Sequence, residues 1–573
     1  MPTPAFGTTI KYTDVTTEFT LSVNPPPVAI GANFRFASGT YTPPTPVIPL
    51  TGTISLSGNL GGKTKVAAPP GLVGNPTWIA TMNFGNGGNG LYCATNANED
   101  IYVGGQMTST TATAYNAGTT TATSAVYTSG TLSSVALAKY NSAGIVQWVT
   151  VIDGRGAETF GRSAASTNNV YVVLQTGTVW PNAYSINGTS FVTMNTATTA
   201  GTIGLALVQY SKLGVANFMI GVANQNGIGM RPGAVAIDND ENIYTITRTP
   251  GVSGQLQWAY GANFSNVSGT QINYPVPANM GLNACSLIKW NAAGVPQFLA
   301  WQSGGYNGYG TAVAYNKVSQ NIVLSSGIGF SYTPFAYDAN QQVTGKACAV
   351  TIPSTSWVKT LIAYNKTGTA QFCTMVCNVI QNDNFSGLAF DSSGNIYIAN
   401  TSNTSPTAFT AGLTTGITST SKPTGGTYGA WIAKYSSTGV AQWITMVFGT
   451  GNCYGLEVSV DSYDNIYLTV DTAANAAISA YNAGSSAPAI TSLVPVGTGT
   501  VWVKYDTSGV AISTSISYNS TTFTNWLVNL APVNNNAYST ATAGGGTWQV
   551  YGTNNVTNIS SANAQVGALI KYV

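Results

Sequence analysis

The chain contains no histidine, and only 6% of its 573 residues are Asp, Glu, Lys or Arg, against roughly 25% in an ordinary soluble domain. Without imidazole there is no Ser–His–Asp triad, no Cys–His dyad, no histidine metal ligand and no ordinary base that titrates near neutrality. A net charge of +2 supplies no electrostatic footprint for nucleic acid or an anionic membrane, so neither is expected as a partner. Six cysteines (Cys93, Cys285, Cys348, Cys373, Cys377, Cys453) are too sparse for a disulfide scaffold. On a strand, Cys373 and Cys377 would share a face about 13 Å apart, too far to bridge, and are expected as small buried hydrophobes. No run approaches the roughly 20 apolar residues of a membrane helix. Residues 1–20 lack a cationic head followed by an apolar stretch, so a soluble chain without a secretion signal is expected.

What the chain does have is apolar bulk and repetition. Hydrophobic residues make up 44%, including 31 Tyr, 18 Phe and 12 Trp, enough to bury a large core. Seven copies of one phrase end in an aromatic: Leu137-Ala-Lys-Tyr140, Leu207-Val-Gln-Tyr210, Leu287-Ile-Lys-Trp290, Leu361-Ile-Ala-Tyr364, Ile432-Ala-Lys-Tyr435, Trp502-Val-Lys-Tyr505 and Leu569-Ile-Lys-Tyr572. Their spacing runs from 67 to 80 residues. In most copies a Gly turn and a second aromatic strand follow, as in Gly439-Val-Ala-Gln-Trp443, and this reads as a tight hairpin. A third phrase is an Asp/Asn-rich turn leading into a strand, as in Asp391-Ser-Ser-Gly-Asn-Ile-Tyr397 and Asp461-Ser-Tyr-Asp-Asn-Ile-Tyr467. Apolar residues alternate with period two and no long helical stripe appears. The expected class is all-β.

Seven units of four short strands read as a seven-bladed β-propeller of four-stranded blades. The last unit stops at Tyr572 and Val573, where a Gly turn and an aromatic strand should follow; the missing strand is found at 76–82. Ring closure is therefore assigned to Trp78 and Ile79 against Ile570 and Tyr572, which leaves no open sheet edge at the joint. These phrases resemble the seven-bladed propeller repeat of bacterial surface and large-virus proteins, whose unit runs Asp-x-x-Gly-Asn-Ile-Tyr, an insert, then Ala-Lys-Tyr-x-x-x-Gly-x-x-x-Trp. The resemblance covers about 500 residues and is closest at 391–397 with 431–443. Inserts marked by Ala114-Tyr-Asn-Ala-Gly118, Ala183-Tyr-Ser-Ile-Asn-Gly188, Ala336-Tyr-Asp-Ala-Asn340 and Ala480-Tyr-Asn-Ala-Gly484 are expected as Thr/Ser-rich hairpin loops on one face.

Residues 1–70 lack the repeat, and the propeller is assigned to 71–573. Prolines at 25–27, 43, 44, 46 and 49 oppose regular central-strand pairing, so a small Pro-rich β arm is expected. Its apolar strand positions are Ile10 and Tyr12, Phe34 and Phe36, and Ile54 and Leu56. This arm resembles the short N-terminal modules that tie fibre or decoration proteins of tailed phages and giant viruses to the particle, which implies a docking role.

The scarce charges follow the repeat. Lys139, Lys289, Lys434, Lys504 and Lys571 share one slot. Eight of the seventeen acids (Glu99, Asp100, Asp238, Asp240, Glu241, Asp391, Asp461, Asp464) sit in the turn before the Ile-Tyr strand. An anion-binding lysine ring and Ca²⁺-binding turns are conceivable, but Asx turns and lysine stems packed along blade edges account for both sets better. No catalytic constellation, metal site or cofactor is expected. Paired acids converging from different blades are the one catalytic arrangement left open, and nothing in their spacing favours it. Aromatics outside the repeated slots (Trp180, Trp258, Tyr260, Tyr306, Tyr309, Trp526) are candidates for a sugar-stacking face, weighed against core packing. The function expected is a non-enzymatic structural or attachment protein on a virus particle. Its expected partners are other particle proteins, further copies of itself and host glycans. The alternative is a microbial cell-surface adhesin or lectin-like propeller.

Overall fold

The structure is a computed structural model. It describes residues 12–13 and 18–19 and, within 75–573, everything except 85–90, 108, 127–133, 154–159, 177–179, 187, 189, 195–203, 225–231, 251–255, 264–270, 278–282, 304–305, 330–332, 342, 353–356, 380–386, 422–427, 473–476, 494–498, 520–529, 534–535, 543–545, 553–557 and 563–566. The chain divides into two compact units, Met1–Gly71 and Leu72–Val573. In the first, Tyr12–Thr13 pairs antiparallel with Glu18–Phe19; Ile10, Phe34, Phe36, Ile54 and Leu56 lie outside the described residues.

The second unit is a seven-bladed β-propeller, with no helix among the described residues. The first strands of consecutive blades touch all the way round, and the first strand of the seventh meets that of the first. These strands surround the axis. The third strands are buried along all or nearly all of their described length, fully so in Gly429–Tyr435 and Ser134–Tyr140, because each is covered on both faces by neighbouring blades. Their alternation is correspondingly weak, as in any sheet covered on both sides.

Closure follows the expected route. Pro76–Asn83 is the fourth strand of blade 7, whose first three are Leu530–Val533, Asn536–Thr542 and Gly567–Tyr572. Trp78 lies opposite Lys571, and Ile79 opposite Ile570. Backbone bonds between Asn75 and Val573, at 3.0 and 3.3 Å, extend the joint.

Two expectations are corrected. Each blade has six strands rather than four, and the inserts are not loops on one face. The insert lies between the second and third strands of a unit, and its hairpin adds to the fourth strand of the preceding blade. Ala477–Tyr481 and Pro488–Leu493, for example, fall in sequence between two strands of blade 6, Ile466–Thr472 and Gly499–Tyr505. They are nevertheless the fifth and sixth strands of blade 5, paired on Ala441–Gly449. The same donation recurs at all seven blades. An unpaired edge strand exposes a row of hydrogen-bonding groups, and the insert covers the edge that four strands would leave.

The Tyr-Asn-Ala-Gly phrase makes the donated hairpin bridge two blades. The side-chain carbonyl of Asn482 accepts the Ala511 N–H (2.9 Å), and the Ala483 N–H donates to the Gly509 carbonyl (2.9 Å), so the tip bonds back to its own unit. Gly439 shows why the hairpin turn between third and fourth strands needs glycine. Its φ is +83°, and a Cβ there would stand 2.9 Å from the Phe372 ring of the preceding blade.

Candidate functional site

The eight acids of the repeated turns are all engaged. Asp391 Oδ1 accepts the N–H groups of Ser393 (3.0 Å) and Asn395 (2.9 Å), while Oδ2 accepts Asn395 Nδ2 (2.8 Å) and the Tyr397 hydroxyl (2.9 Å). Asp461 and Asp238 repeat this fourfold pattern. At Asp238 these bonds outweigh burial, which alone would raise the carboxyl, and hold it below its ordinary value. Tyr397, Tyr467 and Tyr244 are driven far above the ordinary phenol range, first by burial and then by the carboxylate each one faces.

Three more acids occupy the left-handed position of the turn and reach the preceding blade. Glu99 accepts from Asn536 (3.0 Å) and Tyr538 (3.2 Å), and Glu241 from Asn169 (2.9 Å) and Tyr171 (3.1 Å). Asp464 accepts the Ser392 amide and hydroxyl, at 2.7 and 2.6 Å. Asp100 pairs with Lys139 (2.9 Å), and Asp240 with Lys366 (2.8 Å). Carboxylates saturated in this way offer a cation few free lone pairs. Among the described residues no group of three or more acids or cysteines is arranged to hold a metal.

The repeated lysines sit on third strands, and at least four of the five reach the next blade. Lys434 Nζ and Trp443 Nε1 both donate to the Thr507 carbonyl, at 2.9 and 3.1 Å. Lys139 and Trp148 converge likewise on the Lys212 carbonyl, at 3.2 and 3.1 Å. Lys571 and Trp78 converge on the Ser142 carbonyl, at 3.1 and 3.3 Å. Lys289 donates to the Lys366 carbonyl (2.8 Å). Ammonium groups of this slot lie over a tyrosine of the same blade, as Lys434 does over Tyr397 at 5.4 Å. Burial lowers Lys504 and Lys289 against the opposing pull of Asp461 and Asp238. The slot is a blade-to-blade clamp.

Three of the six aromatic candidates, Trp180, Trp258 and Tyr260, have described side chains, and Trp258 and Tyr260 fall on the same side of one strand, Leu256–Tyr260. Trp180 is buried in a core cluster beside Gly221 and Met194, edge-on to the half-buried Tyr260 at 6.2 Å. Trp258 is half-buried on the same donated hairpin as Tyr260. Tyr306 and Tyr309 lie on the first strand of blade 4, Tyr306–Asn316, and their side chains, like all of Trp526, lie outside the described residues. All six cysteines are buried free thiols.

One feature that sequence reasoning passed over lies on the axis. A chamber of about 250 Å³ is lined by the first strands of blades 1 to 6. Arg162 of blade 2 and Glu457 of blade 6, on opposite sides of the ring, meet there in a two-pronged ion pair: Nη1–Oε1 3.0 Å and Nη2–Oε2 2.7 Å. The guanidinium also lies over the Tyr92 ring at 5.7 Å. Burial alone would lower Arg162, but Glu457 and Tyr92 hold it above its ordinary value; burial outweighs the pull of Arg162 on Glu457 and pushes that carboxyl up to about 7. A signal was present in the sequence. Counting four residues back from each turn residue gives Tyr92, Arg162, Ala234, Ala312, Gly387 and Glu457; three are small, and Arg162 and Glu457 are the two charges. The strand register breaks at this level in blades 2, 3, 4 and 6, between Phe160 and Ser163, Pro232 and Val235, Gly310 and Ala312, and Gly455 and Glu457, so the bulge recurs around the ring while the charges do not.

No protein-family model matches the chain, and a search of curated proteins finds no match. The fold defines the class: a seven-bladed β-propeller whose blades are completed by hairpins from their neighbours.

Proposed function

We propose that this chain is a non-enzymatic structural or attachment protein of a virus particle, with its propeller displayed at the particle surface and residues 1–70 as the docking segment. The supporting observation is where the repeated charges go. All eight turn acids are taken up in turns or in contacts between blades, and at least four of the five slot lysines clamp the next blade. Side chains committed in this way maintain a ring; they are not left open for substrate chemistry. A surface carrying few free charges also responds little to salt, which suits an exposed scaffold. The N-terminal resemblance to particle-docking modules supplies the direction of attachment.

The test is co-sedimentation with purified particles. Full-length chain should pellet with particles, and residues 71–573 alone should stay in the supernatant as a folded propeller. Incorporation of the truncated ring at the full-length level would refute the docking role.

A further inference from the structure

We infer that the ring seats its hairpin-turn face on the particle, against an apolar and weakly charged protein surface; this rests on the docking role proposed above. In every blade neighbouring strands pair antiparallel in the order first to sixth. The turns between first and second, third and fourth, and fifth and sixth strands therefore fall at one end of each sheet. Large apolar side chains are exposed at that end. The residue after the turn glycine is exposed as Ile145, Val215, Val440 and Val510, and Val318 and Leu413 are exposed in other turns of the same end.

Two slots break the repeat at the joint between blades 1 and 2. Ile186 stands where other donated hairpins carry Ala117, Ala262, Ala339, Ala411 and Ala483; Leu213 stands where other turns carry Ala143, Ala293, Thr367, Thr438 and Ser508. The two come together. The Ile186 N–H donates to the Gly214 carbonyl (3.0 Å), and the Ile186 side chain covers Gly214, which separates Leu213 from Val215. Leu213 is nevertheless 67% exposed and Ile186 48%. Other blades make the same contact with small or polar residues, so the fold does not require this bulk, and exposed apolar groups gathered in this way mark a contact surface.

The ring's entry point and its charges name the occupant. Pro76 lies opposite Tyr572 and Asn75 bonds Val573, at the place where other blades have the turn between third and fourth strands. The chain assigned to docking therefore joins the ring on this face, and a tether there raises the local concentration of the docked surface. A contact helped in this way need not hold residues 71–573 by itself. The charges of the face are spent within it, on its own turns and on neighbouring blades, as at Asp391, Asp464, Glu99 and Lys434. Nucleic acid or an anionic bilayer would find no matching field, which leaves apolar contact with protein. A second copy on the same face would crowd two entry points into one interface.

All six cysteines are buried, so Leu213→Cys gives the full chain one reactive thiol. A bulky maleimide should label it rapidly in the free chain and at least about ten-fold more slowly on purified particles. Asn403→Cys, in the exposed connection after the second strand of blade 5 at the opposite end of the sheet, should label equally fast in both. A variant carrying the residues of other blades (Ile186→Ala, Leu213→Ser, Val440→Thr, Val510→Thr) should keep the parent's urea midpoint yet bind particles about ten-fold more weakly. Equal labelling at 213 with and without particles, protection at 403 instead, or undiminished binding of the fourfold variant would overturn the assignment of this face. So would protection at 213 in the free chain, which would mean a second copy, or pelleting of the parent with phosphatidylcholine vesicles, which would mean lipid. Failure of the parent to pellet with particles would overturn the docking role itself.

Discussion

Replacing Glu457 with leucine should be far more damaging than replacing Glu457 and Arg162 together. The pair spans the axis with both side chains about nine-tenths buried. Glu457→Leu leaves the guanidinium facing Tyr92 and small apolar residues, and removing one partner of a buried pair costs about 3–5 kcal/mol. Arg162→Leu/Glu457→Leu removes both charges beside a chamber with room to repack, and such replacements are often neutral or stabilising. The double variant should therefore recover most of the loss. A second signature is pH. Because burial lifts the folded-state carboxyl from 4.5 to about 7, the folded chain keeps a proton in this interval that the unfolded chain has released. Stability must then fall as pH rises through the window, by up to about 3 kcal/mol. Asp471, also pushed up to about 7 by burial, adds a slope of the same sign, so the informative quantity is the difference between parent and double variant. Urea unfolding followed by tryptophan emission at pH 4.5, 6 and 8 reads both effects. The reasoning fails if the single variant loses less than about 1 kcal/mol, if the double is as unstable as the single, or if the pH slope is the same with and without the pair.

Gly439→Ala should destabilise more than Gly484→Ala. Both positions have φ above +70°, but a Cβ at 439 meets the Phe372 ring while one at 484 meets nothing within 4 Å. The backbone cost is about 1–2 kcal/mol at each, and overlap adds about 1 kcal/mol or more at 439 alone; equal urea midpoints would contradict the packing. Trp443→Phe keeps the apolar contact but loses the bond to the Thr507 carbonyl. It should cost about 1 kcal/mol, and a thermal midpoint unchanged from the parent would count against the clamp. Burial raises the thiols of Cys285, Cys377 and Cys453 to about 12, so thiol reagents should label none of them in the folded chain at pH 8 and all six cysteines in urea. Rapid labelling of the native chain would refute that placement.

The parts of the fold visible in the sequence were those written in most of the seven units. The Lys-Tyr phrase, the Gly turn and the Asn-Ile-Tyr phrase each record a contact that recurs from unit to unit, and strand period, spacing and the wandering fourth strand of blade 7 follow from them. The ownership of the inserts was hidden. Ala480-Tyr-Asn-Ala-Gly484 has the turn chemistry of a hairpin, but whether that hairpin extends its own sheet or the preceding one depends on which fourth-strand edge is open to it, a relation between units with no local signature. The axial pair was obscured for the opposite reason, because it occurs once: Arg162 and Glu457 are separated by 295 residues and share no motif. Among the aromatic candidates, Trp180 fills core space beside Gly221, the packing role that the sequence had set against a sugar-stacking one.

Hairpin donation changes what a single unit means for stability. In a linear solenoid each repeat contacts its neighbours across an interface, and a terminal repeat can be lost with its own share of the stability. Here, removing blade 6 would take away its four inner strands and also Ala477–Tyr481 with Pro488–Leu493, leaving the fourth strand of blade 5 an open edge. It would also delete the Thr507 carbonyl on which Lys434 and Trp443 close. Each unit thus carries part of the preceding one, and the ring has seven overlapping joints of which the terminal strand is only one. A chain with 6% charged residues has few long-range electrostatic means of holding such a ring in register. It places its slot lysines and several of its turn acids at the joints between blades, where partial burial strengthens each bond they make.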